Sequence, residues 1–259
     1  MPAIRSALLG FGLMAAALLA AAAPARAAEF TPAQKAEMGS VIRDYLLQNP
    51  EVLQDAMVEL ERRQKAQDEA KRQQTVDGKA AELFNAPGDV VLGNPKGKVT
   101  LVEFFDYNCG YCKRSLDDVA KLLKTEPDLR LVLKDFPVLG PGSVEAAYIA
   151  GAARNQFKGD QFWQFHAKLL GGQHGPVGKA QALQVAKDMG ANMDQLAKDA
   201  ASPEVKSSIQ TTMGLADALG LTGTPSFVVG KEVVVGAVGY DELKTRVDSV
   251  LKCGKAVCS

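Results

Sequence analysis

The stretch from 99 to 115, VTLVEFFDYNCGYCKRS, constrains the fold more than any other part of the chain. Its first seven residues are mostly β-branched, aliphatic or aromatic, which predicts a buried strand. The polar triplet DYN ends that strand. After the pair Cys109 and Cys112, apolar residues recur three and four apart from Leu116 to Leu123, which predicts a helix. The sequence therefore places a CxxC motif where a strand turns into a helix.

Two thiols in this position are suited to redox chemistry. A thiolate attacks a disulfide, and the free amides and the positive dipole end at a helix N-terminus lower the pKa of a thiol placed there. We therefore predict that Cys109, exposed at the helix start, is the nucleophile, and that Cys112, one turn deeper, resolves a mixed disulfide. The alternative is half of a zinc site, whose further ligands would come from Cys253, Cys258, His166 and His174.

The segment VEFFDYNCGYC resembles the active-site strand of DsbA-type thiol–disulfide oxidoreductases. In that family a glutamate lies six residues before the first cysteine, where this chain has Glu103, and the family's cis-proline loop has a match in Thr224-Pro225. The resemblance implies an α/β thioredoxin fold with a helical insertion, from about residue 89 onwards. It also implies a catalytic role for Glu103 beside the two cysteines. The residues that it implies for substrate binding are Thr224, Pro225, Gly110 and Tyr111.

Two positions depart from the oxidant DsbA itself. Gly110-Tyr111 replaces Pro-His between the cysteines, and Thr224 replaces valine before the proline; the isomerase DsbC shares both features. The N-terminal part resembles the extra segment of the suppressor-of-copper-sensitivity protein C (ScsC) group, which includes trimeric isomerases. This resemblance implies a homotrimer, misfolded or disulfide-bonded exported proteins as substrates, and a DsbD-like membrane thiol reductase as redox partner. No cofactor and no metal are expected.

Residues 1–27 are predicted to be a cleaved signal peptide. Arg5 precedes the apolar stretch LLGFGLMAAALLAAAA, and Ala25-Arg26-Ala27 fits a small-residue cleavage site. The alternative is an uncleaved membrane anchor. Export predicts a periplasmic location, where disulfides form and persist. The 30 basic and 30 acidic residues cancel, which argues against nucleic acid as a partner.

Residues 28–88 are predicted to form a helical oligomerisation segment and a stalk. Thr31-Pro32 and Asn49-Pro50 are helix starts, and a short apolar stripe follows each of them. The stretch from 61 to 79 is almost wholly charged and polar, so it is either a solvated helix or a flexible stalk. Stripes this short have to bury against something. We expect self-association, and packing on the catalytic domain of the same chain is the alternative.

Residues 89–259 are predicted to form the catalytic domain. A helical insertion is expected over about 143–219, with Ser143 as a helix cap. Cys253 and Cys258 lie outside the CxxC motif and are predicted to form a structural disulfide near the C-terminus. A second redox pair, or a metal site shared with the CxxC thiols, is the alternative for these two cysteines.

These features predict a periplasmic thiol–disulfide oxidoreductase that reduces or isomerises wrong disulfides in exported proteins. The nearest alternative is a dithiol oxidase, which uses the same residues in the opposite redox direction. Two further alternatives belong to other classes of protein. One is a periplasmic protein that binds copper through the soft thiolates of Cys109 and Cys112, and the other is a chaperone with a helical stalk.

Overall fold

The computed structural model describes residues 30–172 and 175–258. The predicted signal peptide at 1–27 and the candidate ligand His174 lie outside the described residues. The chain divides into two compact units, Met1–Leu60 and Glu61–Ser259. Within the described residues, no helix combines the length and the apolar character that crossing a membrane requires.

Helices and a small set of strands alternate along the described chain. The helices are α1 (Pro32–Gln48), α2 (Glu51–Gly78), α3 (Ala80–Asn85), α4 (Gly110–Thr125), α5 (Pro141–Gln156), α6 (Asp160–Gly171), α7 (Lys179–Asp188), α8 (Met193–Ala200), α9 (Pro203–Ala218) and α10 (Tyr240–Cys253). The strands are β1 (Val90–Gly93), β2 (Val99–Phe105), β3 (Leu129–Asp135), β4 (Ser226–Val229) and β5 (Glu232–Val235). The predicted strand and helix on either side of the CxxC motif are β2 and α4.

The strands form one sheet in the order β1-β3-β2-β4-β5. The central strands β2 and β3 are parallel, whereas β1, β4 and β5 each run antiparallel to the strand that they pair with. The C-terminal ends of β2 and β3 therefore reach the same edge of the sheet. The CxxC motif follows β2 at this edge, and the helical insertion follows β3 there.

The side chains of β2 alternate between two apolar clusters on opposite faces of the sheet. Leu101 and Phe105 belong to the cluster that contains both CxxC cysteines and the buried faces of α4, α5 and α6. Val102 and Phe104 belong to the second cluster, which includes side chains from α2, α3 and α9. By this alternation, Glu103 points to the first face, beneath the CxxC helix.

The helical insertion consists of α5 to α9 and connects β3 to β4. The prediction that Ser143 caps its first helix is wrong. Helix α5 begins at Pro141 after Gly140, whose φ of 113° is a conformation that favours glycine. Ser143 is the third residue of the helix, and it is 1% exposed.

The first unit consists of α1 and the start of α2. Thr31 caps α1, because its side chain accepts a hydrogen bond from the Gln34 amide while the Gln34 side chain accepts one from the Thr31 amide. No residue of α1 is buried. The large apolar side chains exposed in this unit are Phe30, Met38, Val41, Ile42, Tyr45, Leu47, Leu53, Met57, Val58 and Leu60. Within this unit these apolar stripes are not covered.

The second part of α2 packs on the sheet although its sequence is almost wholly polar. Val76 and, in α3, Leu83 are 2% and 0% exposed and belong to the second apolar cluster. The Arg72 guanidinium donates to the Leu219 carbonyl oxygen at 3.2 Å. The flexible-stalk alternative is therefore wrong for this stretch. The two compact units divide after Leu60, and the domain boundary at residue 88 stays a prediction.

A buried ion pair joins α3 and the following loop to the central sheet. Lys134 on β3 donates to both carboxylate oxygens of Asp89 at 2.8 Å and to the Glu82 carbonyl oxygen at 2.8 Å. The Lys134 and Asp89 side chains are 1% and 6% exposed. Burial lowers the pKa of Lys134 and raises the pKa of Asp89, while the attraction between the two charges opposes both shifts. Removing either partner would leave a buried charge unpaired.

Candidate active site

Cys109 occupies the N-cap position of α4. Its φ of −80° and ψ of 114° are extended, so its side chain turns back over the first helical turn. The Cys112 amide donates to the Cys109 Sγ at 3.2 Å. The Thr224 carbonyl oxygen lies 3.1 Å from the same sulfur and accepts a hydrogen bond from the Cys109 thiol when that thiol is protonated. Cys109 is only 5% exposed, so the prediction that it is exposed is wrong. The first turn of α4 and the Thr224 loop lie against the sulfur.

The surroundings of Cys109 favour the thiolate. The hydrogen bond with the Cys112 side chain lowers the pKa of Cys109 to about 6, and bonds from the Thr224 side chain and from the backbone amides of Cys112 and Tyr111 act in the same direction. Burial opposes these effects without cancelling them. At pH 7 Cys109 is therefore mainly ionised, whereas an ordinary cysteine is mainly protonated.

Cys112 is the opposite case. It is 0% exposed, and its burial, its hydrogen bond to Cys109 and the nearby charge of Glu103 together raise the pKa of Cys112 far above that of Cys109. One thiol of the motif is therefore an anion at neutral pH, and the other keeps its proton. This difference supports the predicted roles, Cys109 as nucleophile and Cys112 as resolving thiol.

Glu103 lies beneath the cysteines and is 3% exposed. Its neighbours across the sheet are Leu133 on β3 and Phe227 on β4, so neither adjacent strand position supplies a positive charge. Burial, and then the negative charge of Cys109, raises the pKa of Glu103 to about 8. A carboxyl group that titrates near neutral pH is suited to exchanging a proton with a neighbouring thiol.

The loop that covers Cys109 contains the Thr224–Pro225 peptide bond, which is cis as predicted. The Pro225 carbonyl oxygen accepts a hydrogen bond from the Gly236 amide at 2.8 Å, so the loop is joined to the end of β5. The Thr224 carbonyl oxygen faces the sulfur of Cys109. The loop is thus placed beside the reactive atom, where the backbone of a bound polypeptide would have to pass.

The dipeptide between the cysteines forms an open surface. Tyr111 is 59% exposed, and the Arg114 guanidinium lies over its ring, 4.0 Å from the centroid. At Gly110 no atom lies within 4 Å of the place that a Cβ would occupy. Both residues are accessible beside Cys109, and their contact with substrate stays a prediction.

The turn between β2 and α4 contains site residues that the sequence analysis missed. The Asp106 carboxylate accepts hydrogen bonds from the amides of Asn108, Val138 and Leu139 at 2.7, 2.8 and 3.0 Å. The side chain of Asn108 bonds to the helical insertion. Asp and Asn form such side-chain-to-backbone bonds readily, so the triplet DYN before the first cysteine was the only available signal.

The zinc alternative has no support in the described residues. His166 is buried, its Nδ1 lies 3.4 Å from the Tyr107 hydroxyl, and burial lowers the pKa of His166 to about 3. Cys253 and Cys258 form a disulfide, so they are not free to bind a metal; the structural role of this disulfide stays a prediction. Over residues 30–172 and 175–258, no three His, Cys, Asp or Glu side chains are grouped as metal ligands.

A paired thiolate and buried thiol at the N-terminus of a helix, above a buried glutamate and beside a cis-proline loop, define a thiol–disulfide exchange site. Residues 100–248 match the family of DSBA-like thioredoxin domains, and residues 34–67 match the N-terminal domain of the copper resistance protein ScsC. The chain belongs to the DsbA-like thioredoxin-domain family and has the predicted thioredoxin fold with a helical insertion.

Solved structures show the same likeness over most of the chain. A thioredoxin-like oxidoreductase from Silicibacter pomeroyi DSS-3 is 43% identical, covering 67% of this chain and 98% of that one, with a TM-score of 0.63. A linker-deletion mutant of Proteus mirabilis ScsC is 26% identical over 88% of this chain and 99% of its own, with a TM-score of 0.64. Salmonella enterica Typhimurium BcfH is 27% identical over 83% and 95%, with a TM-score of 0.72.

Curated relatives include longer proteins. The Na(+)/H(+) antiporter NhaA 1 of Salinispora arenicola is 30% identical over 62% of this chain but only 24% of its own length. The chain thus spans about a quarter of the first curated relatives that it matches. Disulfide bond formation protein D of Bacillus subtilis is 25% identical over 64% of this chain and 78% of its own length.

Proposed function

We propose that the protein is a periplasmic disulfide isomerase and reductase that acts on misfolded or disulfide-bonded exported proteins. One observation favours an isomerase over other oxidoreductases. Residues 30–60 form two apolar stripes with exposed side chains, and the same chain contains the exchange site. The predicted signal peptide supports the location, as does the likeness to a periplasmic thioredoxin-like protein of Salmonella enterica, 31% identical with a TM-score of 0.59.

The reaction begins with attack by Cys109. Its thiolate sulfur forms a bond to one sulfur of a substrate disulfide, the substrate S–S bond breaks, and the other substrate sulfur leaves as a thiolate that takes a proton from water. The product is a mixed disulfide between Cys109 and the substrate. The pKa of about 6 ensures that the attacking form of Cys109 is present at neutral pH.

Two thiols compete for the mixed disulfide. If another substrate thiolate attacks the substrate sulfur, the disulfide moves within the substrate, Cys109 is released as a thiolate, and no net oxidation occurs. If Cys112 attacks Cys109, the substrate leaves reduced and the protein is left with a Cys109–Cys112 disulfide. Ionised Glu103 takes the proton of Cys112 in that step. A DsbD-like membrane thiol reductase would then supply the two electrons that restore the dithiol.

The Thr224–Pro225 loop orients the substrate. Since the Thr224 carbonyl oxygen lies 3.1 Å from the Cys109 sulfur, the backbone of this loop is next to any sulfur bound to Cys109. An extended segment of the substrate pairs with this backbone as a short strand. Tyr111 and Gly110, which follow Cys109 in the chain, supply exposed surface for the substrate.

The apolar stripes of residues 30–60 assemble the protein. Helices of this kind are stable when their apolar face is covered, and closed symmetry lets copies of one stripe cover each other. The likeness to ScsC favours three copies. Several exchange sites in one assembly raise the effective concentration of dithiols around a bound substrate, which favours repeated exchange over a single release.

A DsbA-type oxidase is the second candidate, and one observation favours it. A stabilised thiolate at Cys109 stabilises the reduced form of the protein, which makes its disulfide a stronger oxidant. In this direction the Cys109–Cys112 disulfide would be passed to reduced substrates. The same residues serve both reactions, so assembly and the redox state in the cell decide between them.

Deleting residues 30–60 tests the proposal. The deletion ends where the second unit begins, so it keeps Val76 and Leu83 in the core. We expect a folded monomer that still reduces insulin-like disulfides at close to the full rate but loses at least about tenfold in reactivating a scrambled substrate, because neighbouring sites are lost. Sedimentation and the two activity assays give the result.

Two full-length variants distinguish the effect of losing apolar surface from the effect of adding negative charge. Met57→Glu with Leu60→Glu should have the effect of the deletion, whereas Gln48→Glu with Gln54→Glu adds the same charge at exposed polar positions and should change neither activity. A deletion variant that remains oligomeric, or a monomer that isomerises as well as the full chain, would refute the proposal.

A further inference from the structure

The Asn108 side chain fastens the turn before Cys109 to the helical insertion. Its Oδ1 accepts a hydrogen bond from the Val177 amide at 2.6 Å, and its Nδ2 donates to the Val177 carbonyl oxygen at 2.8 Å. Nδ2 also donates to the Ser143 hydroxyl at 3.0 Å. The amide thus pairs with both polar groups of the Val177 backbone, in the way that a neighbouring strand would.

The partners of Asn108 have little freedom to move. Val177 and Ser143 are 3% and 1% exposed. The backbone of Gly142 lies so close that a Cβ there would be 2.8 Å from the Val177 carbonyl oxygen, well inside normal contact distance. The three hydrogen bonds therefore anchor the turn to a closely packed part of the insertion.

This anchor is adjacent to the nucleophile. The Cys109 amide donates to the Asp106 carbonyl oxygen at 3.0 Å, which closes the turn, and Asn108 is the residue before Cys109. Cys109 is the N-cap residue of α4, so its backbone lies outside the helix itself. Its sulfur lies between the Cys112 amide and the Thr224 carbonyl oxygen. Its position consequently depends on where the turn places the Cys109 backbone.

We propose that Asn108 is a positioning residue for thiol–disulfide exchange, which holds the turn against the insertion and so fixes the Cys109 sulfur between the Cys112 amide and the Thr224 loop. The helical insertion thereby affects the reactivity of the Cys109 thiol indirectly, through its hydrogen bonds to Asn108. This inference rests on the proposed role of Cys109 as the nucleophile.

Asn108→Ala tests the inference through the reactivity of Cys109. The reduced variant is alkylated with iodoacetamide between pH 4 and 9, the labelled cysteine is identified by mass spectrometry, and urea unfolding is measured in parallel. We expect the pH midpoint of the Cys109 alkylation rate to rise above about 6. A rise of one pH unit would lower the alkylation rate at pH 6 about fivefold. Asn94→Ala is the control, since the Asn94 side chain also bonds to backbone groups, the Pro127 carbonyl oxygen and the Lys96 amide, away from the site.

Gly142→Ala tests the same anchor without changing Asn108. Its Cβ displaces the Val177 carbonyl oxygen, so the alkylation midpoint should rise as in Asn108→Ala. The control is Gly214→Ala, where no atom lies within 4 Å of the added Cβ. A wild-type midpoint in the folded variants at 108 and 142 would overturn the inference. Failure of the proposed function would give a different result, in which Cys109 of the wild-type protein is itself unreactive at pH 6 to 7.

Discussion

Replacing Cys109 with serine is expected to lower the rate of disulfide exchange by at least about 10³-fold, because a hydroxyl at this position is neither ionised near neutral pH nor able to form a disulfide. The fold should be kept, since the serine hydroxyl occupies the same N-cap position and is a good cap. Turnover with an insulin-like substrate measures the loss, and circular dichroism confirms folding.

Cys112→Ser is the matched variant and should behave differently. Attack by Cys109 remains possible, but the thiol that releases a reduced substrate is missing, so a mixed disulfide at Cys109 should accumulate and be visible as a covalent adduct on a non-reducing gel. Adducts at Cys112 in the Cys109→Ser variant would contradict the assigned roles. Suppression of aggregation that survives Cys109→Ser while turnover is absent would instead identify a chaperone.

Glu103→Gln is expected to stabilise the protein by an amount that grows with pH. In the folded protein burial raises the pKa of Glu103 from 4.5 to about 8. Between these values the unfolded chain releases the proton and the folded chain keeps it, so this carboxyl lowers the free energy of unfolding as pH rises, by about 1.4 kcal/mol per pH unit. Glutamine removes that dependence and retains the shape of the side chain.

The measurement is urea unfolding of the reduced wild type and variant at pH 5, 6.5 and 8. The difference between the two proteins reports the ionisation of Glu103 together with its coupling to Cys109, whose negative charge contributes to the raised pKa of Glu103. Glu204→Gln, at an exposed position of α9, is the matched control for the chemical change itself. A constant difference across the three pH values would mean that Glu103 is not held protonated in the folded protein. The same variant should slow the resolution of mixed disulfides, since Cys112 loses its proton acceptor.

Local patterns carried most of the information about the candidate site. The apolar run before the CxxC motif, the polar triplet and the helical spacing after it predict β2, the turn and α4, and these three elements place Cys109 at a helix N-terminus. Strand alternation places Glu103 on the same face as Leu101 and Phe105, but both faces of β2 are buried, and the family resemblance indicated which face lies beneath the CxxC motif. The cis-proline loop came only from the family resemblance, because its partner in the structure, Cys109, is 115 residues away.

Features that depend on distant partners could not be predicted. Ser143 carries the signal of a helix cap, yet its hydroxyl accepts from Asn108, 35 residues earlier in the chain. Residues 61–79 have the composition of a solvated helix, and the single buried side chain Val76 is too weak a signal to show that the helix docks on the sheet. The burial of Cys109 likewise depends on the distant Thr224 loop.

The redox state of the Cys109–Cys112 pair in living cells tests the proposed function most directly. Cells are quenched with acid, and free thiols are labelled with a reagent that adds mass. The protein is then cut into peptides, and the label on each cysteine-containing peptide is measured. The Cys253–Cys258 disulfide serves as the internal control, because it should be oxidised in every sample. An isomerase or reductase requires Cys109 to be a free thiolate at the start of each cycle, so we expect the pair to be mainly reduced. A pair that is mainly a disulfide in the periplasm would contradict the proposal and identify the protein as an oxidase.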